Sequence, residues 1–260
     1  MKRVWVLTSY LWRDLFRSLT GALVVVAALV FYLVFISSVT GGVDRDYYAL
    51  VIGGFFGIFS LLLTLLIADN TYSSASYLLL YRLPSRNAML AAIVLTAVLA
   101  AGLLELAVAL ISLPRFTGEL TVAMVLDVIP VWVGWLVLGA VIGLHMSELA
   151  RRGWSRTVTY ALLAFILFSL NQRQSGTPVG LSDKFSWIPN LIPDPASWEW
   201  ATKIVNLLIW PVSAATRVAR ATPYTMLEGL SPALLLLMAM VLFGLAMSLF
   251  NRKDLILPDN

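Results

Sequence analysis

The chain has 260 residues, 60% of them hydrophobic and 12% charged, with no Cys and a formal net charge of +4. A mean hydropathy of +0.88 is far from soluble globular usage, and several uncharged runs are long enough to cross a bilayer, so the composition is that of a polytopic membrane protein. Disulfides, thiolate nucleophiles and Cys-ligated metals are excluded, and the basic residues flank apolar runs as topology requires, which argues against nucleic acid as a partner.

In chain order, Val4 to Ser18 (4–18) is the first element. Trp5, Thr8, Trp12, Phe16 and Leu19 recur at helical spacing, with Val4, Leu7, Leu11 and Leu15 alongside, while Arg3, Arg13, Asp14 and Arg17 supply a polar side. This predicts an amphipathic helix lying in the membrane plane, and a simple interfacial anchor with snorkelling arginines satisfies the same pattern. The first long apolar run begins only at Leu19, without a cleavage site before it, and reads as a retained first span.

Backbone groups in lipid must be bonded internally, so each uncharged run is read as a helix. Such runs occur at Leu19 to Val39, Tyr47 to Ala68, Asn87 to Leu104 (continuing past Glu105 to Leu113), Val128 to Met146, Thr157 to Gln172 and Gly229 to Asn251. The expectation is an all-α protein with six transmembrane helices in one domain, 1–260. Ile204 to Thr216, with Pro211 inside it, is too short to cross and suits an interfacial or re-entrant helix. The segment 173–228 holds six of the eleven Pro and four of the nine Trp, which predicts an amphipathic outer helical cap before the last span.

With the N-terminus inside, most Lys and Arg near the span ends are cytoplasmic and the short outer loops hold only Arg45 and Arg115. Both termini are then cytoplasmic in a multi-pass protein of the cell (plasma or inner) membrane. On this topology 69–86 is the turn between spans two and three. Pro84 stops its apolar part and Ser85 can cap the next helix. Two readings stand: a surface turn whose Arg82 and Arg86 touch lipid phosphates, or a short helix offering Tyr77, Leu80, Tyr81 and Leu83 to a groove on a cytoplasmic partner.

The N-terminal Arg-Asp-Leu helix, six spans, the turn LLLYRLPSRNAMLAA, the outer WPVSAATRVAR and the terminal LFNRKDL together resemble the ABC-2 type permeases of ATP-binding cassette transporters. By that resemblance Tyr77, Leu80, Arg82, Leu83, Pro84, Ser85 and Arg86 match the coupling helix that docks on the ATPase subunit. Trp5, Trp12, Arg13, Asp14 and Arg17 match the connecting helix, and Trp210 to Arg220 looks like the outer helical insertion. Where the family often carries an acidic Glu-Gly-Thr string, this chain has Asp69-Asn70-Thr71. The resemblance implies a permease subunit of an exporter. It implies two copies of an ABC ATPase subunit as partners, a second permease copy or homologue, and ATP and Mg bound by the ATPase rather than by this chain.

Polar residues inside spans are costly and mark candidate translocation paths. Glu105, in the outer half of span three, is the foremost: it can face a water-filled cavity, pair with a base such as Arg115, or be hydrated near the outer interface. Asp127 reads as a helix N-terminal acid favoured by the dipole, and His145 as a helix-end residue. Gly53, Gly57, Gly139 and Gly143 are spaced for close helix contact, and Pro130 and Pro232 fall in first turns. The chain has neither a Walker A string nor an H-E-x-x-H, and one His without Cys makes no zinc cluster, so it is not read as an enzyme. The other readings are a secondary transporter, for which Glu105 is a lone ionisable group without an evident repeat, and a membrane scaffold or signalling subunit.

Overall fold

The structure, a computed structural model, describes residues 2–39, 42–72, 86–116, 122–147, 210–219 and 226–251. Among these, regular structure is helical: α1 (Lys2–Arg17), α2 (Leu19–Phe31), α3 (Arg45–Tyr47), α4 (Gly53–Tyr72), α5 (Arg86–Ser112), α6 (Val122–Met146), α7 (210–219), α8 (Met226–Gly229) and α9 (Ser231–Asn251). Two π-helical stretches, Tyr32–Ser37 and Tyr48–Ile52, extend α2 and lead into α4. Five of the described helices are long and apolar enough to cross a membrane: Leu19–Ser37, Arg45–Thr71, Asn87–Arg115, Leu126–Met146 and Ser231–Asn251. The run at 157–172 expected to form a further span lies outside the described residues, as does most of the 173–228 cap.

The centre of the bundle is the pair α4 and α6, held together by missing side chains. A Cβ on Gly139 would come within 2.1 Å of the Gly57 carbonyl oxygen, and one on Gly143 within 2.4 Å of that of Leu61. Lipid tails are as apolar as leucine, so helices associate in a bilayer by close packing, which these glycines allow. Their role within one subunit is as the spacing predicts. Because numbers rise together along the contact, from Gly53 beside Trp132 to Leu61 beside Gly143, α4 and α6 run parallel. The same holds for α6 and α9: Gly134 abuts Leu235, and the His145 Nε2 lies 2.8 Å from the Leu242 carbonyl. A carbonyl only accepts, so Nε2 carries the proton of that bond. α5 runs antiparallel to α4, with the Tyr48 hydroxyl donating to Ala109 at 3.0 Å.

Burial separates inner from outer helices. Half or more of the spans containing α4, α5 and α6 is buried (56%, 50% and 61%), whereas α2 with its π extension and α9 bury only 28% and 22%. The latter two present apolar faces such as Leu23, Val26, Leu237 and Val241 outward.

Two expectations about helix starts need correction. α6 begins at Val122, so Asp127 is not its first-turn acid and Pro130 sits well inside the helix. Span limits drawn where charge stops miss a helix that starts several residues earlier, beyond the apolar run. Pro232, by contrast, is the second residue of α9, where its missing amide hydrogen costs least.

Candidate functional site

At the chain's start α1 ends at Arg17, and Ser18 turns the backbone into α2. The Ser18 Oγ accepts from the Gly21 amide at 3.3 Å and donates to the Leu15 carbonyl at 2.7 Å. Such a cap stabilises a helix start by about 0.5–2 kcal/mol. Gly21 is required by the tightness of the turn, since a Cβ there would stand 2.2 Å from the Leu15 oxygen. α1 then packs against α5. The face it buries carries Thr8, Leu11 and Leu15, not the tryptophans. Trp5 and Phe16 remain exposed, Trp12 is half-buried with its ring 4.8 Å from that of Phe16, and Arg13, Asp14 and Arg17 are exposed. The apolar positions of α1 thus divide into a strip on the protein and an aromatic flank free to meet lipid.

Leu7, Leu11 and Leu15 of α1 meet Ile67 and Thr71 at the end of α4 and Met89 at the start of α5, forming a groove with Tyr10 and Asp14 among its lining residues. The helix limits bracketing the expected docking stretch, Tyr72 and Arg86, are at this same end of the bundle. Tyr77, Leu80, Tyr81, Arg82, Leu83, Pro84 and Ser85 themselves lie outside the described residues. Arg86 is the first residue of α5.

The opposite end is closed by polar bonds. Val43 donates its amide to the Arg115 carbonyl at 2.8 Å, and Arg115 donates to the Ser37 carbonyl at 2.5 Å. The Tyr47 hydroxyl donates to Phe35 at 2.7 Å, and the Trp132 Nε1 to Ala49 at 2.8 Å. Phe35, Ser37 and Ala49 all belong to the π-helical stretches. Wide π turns are a recurrent feature of functional sites, and here their carbonyls receive bonds from other parts of the chain. Each interhelical side-chain bond of this kind is worth about 0.6 kcal/mol in a membrane, rarely above about 1.7. Tyr48 packs between Phe116 and Trp132, with ring centroids 5.6 and 5.7 Å away. Asp127 pairs with Arg45 at 3.3 Å, which is its role in place of the expected dipole partner.

Glu105 sits in α5, one helical turn before the carbonyl that Tyr48 bonds. It is 3% exposed, and its Oε1 has no hydrogen-bond partner. Arg115, the base offered to it by the sequence, instead serves the Ser37 carbonyl. Nor is Glu105 the hydrated acid of an outer interface, because the residues a turn to either side, Ala101, Val108 and Ala109, are buried with it. The arrangement places one proton- or cation-accepting group inside an apolar helix junction, within electrostatic reach of Tyr48. Among the described residues no three His, Asp or Glu gather as a metal cluster.

Sequence reasoning missed Arg45, Tyr48, Trp132 and the π-helical carbonyls. Tyr48 and Trp132 stand in uncharged runs like any other aromatic, and no local pattern marks a carbonyl that will be bonded from another helix. A comparison with family models, curated proteins and solved structures finds no match to this chain.

Proposed function

We propose that the chain is the membrane-spanning permease subunit of an ABC-2 type exporter, driven by a separate ATPase that binds ATP and Mg. The observation that carries the reading is the meeting of α1 with the two helix ends that bracket 73–85: Leu11 and Leu15 share one groove with Ile67, Thr71 and Met89. α1 and the helix ends flanking the stretch that the resemblance assigns to force transmission thereby belong to one end of the bundle. A push there acts on α1, α4 and α5 together. The far end, held by Arg115, Tyr47 and Trp132, is where the spans would part to release cargo.

Helix direction supports a count of six spans: α6 and α9 run parallel, which calls for an odd number of crossings between them if both span the membrane, and the apolar run 157–172 is long enough in sequence for one. The basic residues near the Thr71 end orient that end, and both termini, toward the cytoplasm in a plasma or inner membrane. The exposed faces of α2 and α9 are available to lipid and to a second permease copy or homologue.

In this reading ATP-driven closure of two ATPase subunits moves 69–86 and α1, and the spans shift to pass substrate. Leu80→Asp or Arg82→Glu should uncouple ATP hydrolysis from transport while membrane insertion stays normal. Unchanged transport by both variants would sink the docking assignment.

One observation favours a second reading. A buried carboxyl with an unpartnered oxygen, as at Glu105, is the kind of group a secondary transporter uses to couple an ion gradient to movement. Dependence of transport on a proton or sodium gradient, without ATP, would select it.

A further inference from the structure

Arg13 and Arg17 of α1 are exposed, and neither pairs with an acid among the described residues. At about 3.6 residues per turn each residue advances by about 100°, which fixes how the sides of this helix are disposed. Thr8, Leu11 and Leu15 form the buried strip, and α1 packs against α5. About 90° round from that strip stand Trp5, Trp12 and Phe16, and about 100° further stand Arg13 and Arg17. Tyr10 and Asp14 complete the circle, on the side that lines the groove with Asn70 and Thr71. The aromatic side is thus opposite the polar groove, and the two arginines point away from the bundle between them.

The following span sets the depth of this arrangement. Leu19–Ser37 is 19 residues long. At about 1.5 Å per residue it measures about 28 Å, close to the roughly 30 Å of a hydrocarbon core. Leu19, 79% exposed, therefore marks one hydrocarbon edge, and Arg17 precedes it across the Ser18 turn. The last turn of α1 is then at headgroup level. There the aromatic side has the surroundings that Trp prefers, where the bilayer passes from apolar to wet.

We infer that α1 carries a binding site for an anionic phospholipid, with the headgroup phosphate held between Arg13 and Arg17 and the upper acyl chains against Trp5, Trp12 and Phe16. Residues four apart on a helix have Cβ atoms about 5–6 Å from each other, so two guanidinium forks can share one phosphate. A zwitterionic headgroup brings its own cation to this pair of positive charges, whereas an anionic one does not. Charge therefore selects the anionic lipid, and the aromatic side admits a bilayer lipid over a soluble anion. The site goes beyond the permease reading and does not depend on it.

Native mass spectrometry tests it on the purified full chain, stripped of lipid in mild detergent and given equal amounts of phosphatidylglycerol and phosphatidylcholine. The chain should retain phosphatidylglycerol several-fold over phosphatidylcholine. Arg13→Gln/Arg17→Gln should bring the ratio close to one with helical circular dichroism unchanged, since both side chains are exposed. Lys203→Gln/Arg217→Gln, which removes the same charge elsewhere in the sequence, should keep the preference. An unselective parent chain, an unchanged ratio in the Arg13/Arg17 variant, or an equal fall in the Lys203/Arg217 variant would overturn the site. Displacement of bound phosphatidylglycerol by millimolar inorganic phosphate would reveal a soluble-anion site and overturn the lipid assignment.

Discussion

Gly139 stands so close to Gly57 that a single carbon added at 139 would come 2.1 Å from the Gly57 carbonyl oxygen. The obstacle is backbone, which cannot rotate away as a side chain can. Gly139→Ala therefore forces α4 and α6 apart, and overpacking of this kind costs about 1–3 kcal/mol. Gly244 in α9 has nothing within 4 Å of its would-be Cβ. Gly244→Ala should leave stability unchanged or slightly raised, so the difference between the two variants in detergent unfolding isolates the helix contact. Equal effects would mean that the contact is not formed.

Glu105 gives a prediction in which stability and function move in opposite directions. A buried oxygen without a partner costs about 1–3 kcal/mol, and Glu105→Leu replaces it with an apolar side chain of similar length. The variant should unfold at higher denaturant than the parent. If Glu105 is part of the translocation path, transport should fall in the same variant while Glu105→Gln retains more of it. A Glu105→Leu protein that is less stable would show that the carboxyl has a partner in the folded membrane protein.

The parallel run of α6 and α9 makes a sidedness prediction. Met226 is 90% exposed just before α9, on the side opposite the Thr71 end, whereas Tyr10 lines the groove at that end. In intact cells Met226→Cys should react with a membrane-impermeant maleimide, and Tyr10→Cys only after permeabilisation. Labelling of both from the same side would contradict the six-span arrangement.

These residues also show how much was legible in the sequence. Gly57 and Gly139 could be read as packing glycines because the reason for a small residue at four-residue spacing is local to each helix. Which glycine meets which carbonyl was not, since that depends on helix direction and rotation. Asp127 was misplaced because charge marks where hydrocarbon ends, not where hydrogen bonding begins: α6 starts at Val122 and uses the aspartate to hold Arg45. Glu105 stood out by type alone, but its burial is set by Ala101, Val108 and Ala109 packing around it. The division of α1 into a strip of Leu11 and Leu15 and an aromatic flank is invisible in an amphipathic pattern, which counts apolar residues without saying which of two apolar neighbours each will meet. The π-helical carbonyls of Ser37 and Ala49 leave no side-chain trace at all.

The central claim is that a separate motor drives this bundle from the Thr71 end. The measurement that tests it most directly is purification of the tagged chain from its native membrane in mild detergent, with identification of associated proteins and assay of ATP hydrolysis. The permease reading predicts a P-loop ATPase in stoichiometric amount, lost when Leu80 is replaced by Asp while the chain itself still inserts. A folded, inserted chain that brings down no ATPase under these conditions would contradict it.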